Sequence, residues 1–147
     1  QLFMEYFPES KRKTEAQLMI FGLQDKLVMK DYLTAKLYYD LGTYTGNASY
    51  TADMRINGNN FLACITTAQN ALKDYPYTSM REDISILLLR AKHKLGSESV
   101  LEKKEERMRE TIDEYYAFKN EFPESKYMKE VEAIYKDASK YVKELNE

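Results

Sequence analysis

The sequence predicts an all-α chain whose antiparallel helix pairs stack as a solenoid. Three observations predict it. Apolar residues recur at helical spacing through nearly the whole chain. Only 5 glycines and 3 prolines occur in 147 residues, too few breaks for a many-stranded β fold. One corner pattern also recurs, an aromatic residue, proline, any residue, then Ser or Thr. It stands at Phe7-Pro8-Glu9-Ser10, Tyr75-Pro76-Tyr77-Thr78 and Phe122-Pro123-Glu124-Ser125. Proline ends the incoming helix and the hydroxyl caps the outgoing one. Chains that reuse a helix corner are often solenoids such as tetratricopeptide repeats.

The elements follow in order. Gln1 to Pro8 reads as the end of a helix, so the natural N-terminus is expected upstream. Ser10 or Thr14 opens a helix with the stripe Ala16, Ile20, Leu23 and Leu27. Leu33, Leu37 and Leu41 continue its spacing, with Tyr38 and Tyr39 beside them, and Gly42 stops it. Residues 43–58 carry turn chemistry without a helical stripe and are expected to form a long loop.

Asn59 or Asn60 caps the next helix, with Phe61, Ile65, Ala68, Leu72 and Tyr75 buried. Ser79 with Glu82 is expected to box the following start. Its core face is Ile84, Leu87, Leu88, Ala91 and Leu95, and Gly96 stops it. Ser97 or Ser99 caps a helix with Leu101, Met108, Ile112 and Tyr115 inside. Ser125 opens the last, with Tyr127, Val131, Ile134, Ala138, Val142 and Leu145.

The repeat spacing is irregular. Pro8 and Pro76 stand 68 residues apart, two tetratricopeptide periods, whereas Pro76 and Pro123 stand 47 apart, more than one.

Length suits one domain spanning 1–147. Apolar residues make up 44% and charged residues 31%, the balance of a folded helical protein. Net charge is −2 with both signs interspersed, so no basic footprint for nucleic acid exists. The charge run Glu102–Glu110 reads as a solvated helix face, with Glu105 and Arg109 four apart. No run approaches a membrane span, and no signal peptide is visible.

No residue set points to catalysis, a metal or a cofactor. His93, the sole histidine, lies between Lys92 and Lys94 on a helix, as a surface or interface residue would. Cys64 in Leu62-Ala63-Cys64 lies mid-helix without an apolar stretch before it, as a packed thiol would. Asp113-Glu114 is one of many carboxylate pairs, and nothing selects it. Tyrosine, with 13 copies, is the unusual feature. Tyr38, Tyr39 and Tyr44 cluster before the polar stretch as candidate partner anchors. Arg81 and Arg90, nine apart on one helix, are candidates for directed polar contacts with a partner.

Several strings together resemble the BamD-like lipoproteins of the outer-membrane β-barrel assembly machinery, in their Bacteroidetes form. They are Ala35-Lys36-Leu37-Tyr38-Tyr39-Asp40-Leu41-Gly42 and Ala68-Gln69-Asn70-Ala71-Leu72-Lys73-Asp74-Tyr75-Pro76. Arg81-Glu82-Asp83-Ile84, Asp113-Glu114-Tyr115-Tyr116-Ala117-Phe118 and Pro123-Glu124-Ser125-Lys126 complete them. The resemblance covers most of the chain outside Asn47–Gly58, which looks like an insertion, and corresponds to the family's C-terminal part.

It implies a right-handed tetratricopeptide-like solenoid at the periplasmic face of the outer membrane. The implied lipid anchor would lie outside this chain. The implied role is a non-catalytic scaffold that docks on the periplasmic domains of BamA and on other assembly subunits, with unfolded outer-membrane proteins as a further partner. The alternative reading is a chaperone-like receptor for extended client peptides.

Overall fold

The computed structural model describes residues 2–7, 9–43 and 59–142. Its helices are α1 (Leu2–Tyr6), α2 (Lys13–Leu41), α3 (Asn60–Asp74), α4 (Arg81–Ser97), α5 (Leu101–Glu121) and α6 (Met128–Ala138). A 3-10 turn, Ser139–Tyr141, follows. No strand occurs among the described residues, so the architecture is all-α. Beyond Thr43, the loop expected over 43–58 lies outside the described residues, as do Pro8 and Leu145.

The aromatic-led corners share one hydrogen-bond pattern. The N–H three residues after the aromatic donates to its carbonyl. Ser10 reaches Phe7 at 3.1 Å, Thr78 reaches Tyr75 at 3.2 Å, and Ser125 reaches Phe122 at 3.1 Å. The hydroxyl then accepts from the N–H two residues on. Ser10 Oγ takes Arg12 at 3.3 Å, Thr78 Oγ1 takes Met80 at 3.2 Å, and Ser125 Oγ takes Tyr127 at 3.0 Å. Each hydroxyl thus holds the turn that leads into α2, α4 or α6. Tyr75 and Phe122 adopt almost the same backbone, φ −128°, ψ 65° and φ −128°, ψ 63°.

Other helix ends divide. Asn59 caps α3 as expected, its side chain accepting from Phe61 N–H at 2.9 Å. Gly42 stops α2 at φ +54°, where an added Cβ would lie 3.1 Å from the Phe61 ring. The Ser79–Glu82 box does not form, because Thr78 already holds that corner and Glu82 accepts from Ser125 Oγ at 2.6 Å. Gly96 does not stop α4, which runs on to Ser97. Gly96 is buried where an added Cβ would meet Met108 Sδ at 3.1 Å, so it lets α4 and α5 approach closely. Neither Ser97 nor Ser99 caps α5. Both hydroxyls donate back to carbonyls of the α4 end, Ser97 to His93 at 2.8 Å and Ser99 to Leu95.

Successive helices from α2 to α6 pack against one another. Contacts such as Tyr39 on Phe61 and Lys92 on Glu114 show neighbours running antiparallel. Alternate helices run parallel, because bonds from α4 toward α6 keep a near-constant offset. Ser125–Glu82, Tyr127–Asp83, Arg90–Glu130 and His93–Asp137 span 43, 44, 40 and 44 residues.

The expected core face of α4 is buried in full, and Ile86 and Leu89 on its other side are buried too. α4 is therefore packed on two sides. One side joins Val28, Ala35, Cys64, Ala68 and Ala71 of α2 and α3, and the other joins Tyr115, Phe118, Val131 and Ile134 of α5 and α6. Small residues dominate the α2–α3 seam and let those helices approach closely.

Two expected faces are corrected. Leu101 is 87% exposed, because Lys104 and Arg107 make the inner contacts at that end of α5. The α2 stripe is the larger correction. Leu23, Leu27, Leu33 and Leu37 are 60%, 48%, 55% and 57% exposed, while Val28 and Ala35 face the core with Tyr32, Tyr38 and Tyr39 against it. Apolar residues surround α2, and the small ones match the small-residue face of α3.

Candidate functional site

Arg90 occupies the middle of α4, on the edge shared with α6. Its Nε and one terminal nitrogen each donate to Glu130 at 2.6 Å, a bidentate pair. Its guanidinium also lies 5.3 Å from the centre of the Tyr127 ring. The hydrogen bond from Arg90 holds the Glu130 carboxyl below its ordinary range, and that same bond raises Arg90. Tyr127 in turn donates its hydroxyl to Asp83 at 2.9 Å.

Tyr39 reaches the same region from α2. Its ring meets Phe61 edge-on at 5.8 Å, and burial raises its phenol. Arg90 lowers that phenol and Glu130 raises it, so both charges act on the Tyr39 hydroxyl. α2, α4 and α6 thus contribute Tyr39, Arg90 and Glu130 to one electrostatic group. Tyr38 is half-buried against the core formed with α3 and α4.

Arg81 stands at the α4 start and bonds Glu121 of α5, with its second nitrogen 3.4 Å from Oε2. It also donates to the carbonyls of Leu72 at 3.4 Å and Pro76 at 3.2 Å. Arg81 therefore clamps the α3–α4 corner to the end of α5. Tyr44 lies outside the described residues. Of the five candidates, Arg90 pairs with Glu130 and its charge acts on the Tyr39 phenol, Tyr38 packs inward, and Arg81 works at a separate corner.

The sequence reading missed the acidic half of the site. Glu130, Asp83 and Asp137 complete the α4–α6 edge. No local pattern marks them, because Arg90 meets Glu130 of α6 forty residues further on, a separation that no helical period spans.

Other candidates resolve as packing. Cys64 is fully buried, and burial pushes its thiol up to about 12. His93 Nε2 lies 2.9 Å from Asp137 Oδ2 on the α4–α6 edge. Glu114 of the Asp113-Glu114 pair accepts from Lys92 at 2.7 Å. An open cleft of 390 Å³ lies at the last corner, lined by Glu82 and Phe122–Lys126. No helix among the described residues is long and apolar enough to cross a membrane. No family model matches this chain, and no curated protein matches it.

Proposed function

We propose that this chain is a non-catalytic scaffold of the BamD kind, a right-handed tetratricopeptide-like solenoid that docks on the periplasmic domains of BamA. Its place would be the periplasmic face of the outer membrane, in the assembly of β-barrel proteins. The observation that carries the reading is the parallel run of α4 and α6 with a near-constant residue offset, between corners that share one hydrogen-bond pattern. Stacked repeats have that property, because each repeat sets its neighbour's register. The quoted strings lie on this framework, at the α2 end, the α3–α4 corner and the α5–α6 corner.

The docking surface in this reading is the face where α4 lies between α2 and α6, and it carries Tyr39, Arg90, Glu130 and Tyr127. Fixed charges and half-buried rings give a pre-ordered surface at low entropic cost. Calorimetric titration with the soluble periplasmic domains of BamA tests it. Saturable one-to-one binding, weakened by Tyr39→Phe or Arg90→Lys in folded protein, supports the reading. Binding of extended outer-membrane-protein peptides instead, with no response to BamA, favours the chaperone-like receptor.

A further inference from the structure

The outer flank of α2 carries a pattern that the chain's own core does not use. Ala16, Ile20, Leu23, Leu27, Lys30, Thr34, Leu37 and Leu41 alternate by four and three residues without a break. That 3.5-residue period marks a seam between two helices wound about each other. The four leucines of this seam are at least 36% exposed, whereas Val28 and Ala35 serve the core. An exposed apolar stripe of this length marks an interaction surface.

We propose that this seam pairs with the same seam of a second copy, antiparallel, about a twofold axis beside Leu33. Setting Leu27 opposite Leu37 of the second copy fixes the rest. Leu23 then faces Leu41, and Lys30 faces Thr34. Every leucine meets a leucine, and the polar pair falls at the centre. A shift by one heptad would set Leu27 against Lys30 and Leu23 against Thr34, mixing polar with apolar in those layers. The Thr34 hydroxyl already donates to the Lys30 carbonyl at 2.8 Å, so its methyl is what the layer receives. Lys30 is exposed and can lay its stem along the seam with its ammonium in water.

The flanking residues select direction. Lys26, Leu33 and Asp40 line one side of the seam and are all exposed. Gln24, Asp31 and Tyr38 line the other and are half-buried toward the chain's own core. An antiparallel pair joins exposed flank to exposed flank, where Asp40 already accepts from Lys36 of its own helix at 3.3 Å and keeps further lone pairs for the second copy. Lys26 then meets Asp40 of the second copy twice, and Leu33 meets Leu33 at the axis. A parallel pair would need the half-buried flank and would set Lys30 against Lys30. The seam is thus complementary to itself in charge and in apolar register in only one direction.

Sedimentation equilibrium on the 147-residue chain tests this. A concentration-dependent dimer is expected. Leu37→Asp should weaken it by about tenfold or more while helicity is unchanged, since that side chain is exposed. Lys26→Asp should also weaken it, and adding Asp40→Lys should restore it. A short bismaleimide should join copies through Leu33→Cys and not through Leu23→Cys, the buried Cys64 staying unreactive. A monomer at every concentration overturns the proposal and assigns the seam to a helix other than its own copy. So does a dimer indifferent to Leu37→Asp, or one joined through Leu23→Cys alone.

Discussion

Arg90 and Glu130 stand forty residues apart and meet through two N–H···O bonds of 2.6 Å. The pair ties α4 to α6, helices that are not consecutive in the chain. Its side chains are 31% and 43% exposed, so solvent screening limits its worth. Arg90→Ala and Glu130→Ala should each cost about 1 kcal/mol, with a coupling of about 1 kcal/mol in the double-mutant cycle. Urea denaturation of the four proteins measures it.

The same pair sets a pH response. Glu130 is lowered from its ordinary 4.5 by the Arg90 hydrogen bond, and Asp137 is lowered from 3.8 by hydrogen bonds from His93 and Lys140. A lowered folded-state carboxyl contributes stability above its unfolded value and loses it as pH falls through the folded one. The melting temperature should therefore fall on acidification below about 4.5, the unperturbed carboxyl range. Arg90→Ala should flatten that fall, because its Glu130 then titrates alike in both states. Equal acid slopes for wild type and variant would contradict the pairing.

Leu88 lies buried where α2, α3 and α4 meet. Leu88→Ala should cost about 3 kcal/mol through lost burial and a residual cavity. Leu88→Asp should abolish folding, since it buries an unpaired charge. Circular dichroism on thermal melting reads both, and an unchanged melting temperature would contradict the core assignment.

Two glycines should respond in opposite directions. Gly22 lies inside α2 with nothing within 4 Å of an added Cβ, so Gly22→Ala should stabilise by up to about 1 kcal/mol. Gly42 holds φ +54° with the Phe61 ring 3.1 Å from an added Cβ, so Gly42→Ala should destabilise by about 1–2 kcal/mol. Thr78→Ala should cost about 1 kcal/mol by leaving the Met80 N–H without its acceptor.

Much of this fold was legible in the sequence. The corners were readable because proline and a hydroxyl serve local hydrogen bonds, and local chemistry survives in any tertiary context. The core of α4 was readable because Ile84, Leu87, Leu88, Ala91 and Leu95 recur at helical spacing along it. α2 was misread because apolar residues surround it, so periodicity picked the exposed leucine seam over the small core line of Val28 and Ala35. Arg81 and Arg90 were singled out, but their acid partners lie forty residues away, where no local pattern reaches. The sequence gives Gly96 the look of a stop, while its role depends on Met108 of the next helix.

The most direct test of the scaffold account is hydrogen exchange on the chain with and without the soluble periplasmic domains of BamA. The account predicts slowed exchange along α4 and α6 and at the Tyr39 end of α2, where Tyr39, Arg90 and Glu130 converge. No protection in a folded chain, or protection confined to α3 and α5, would contradict it.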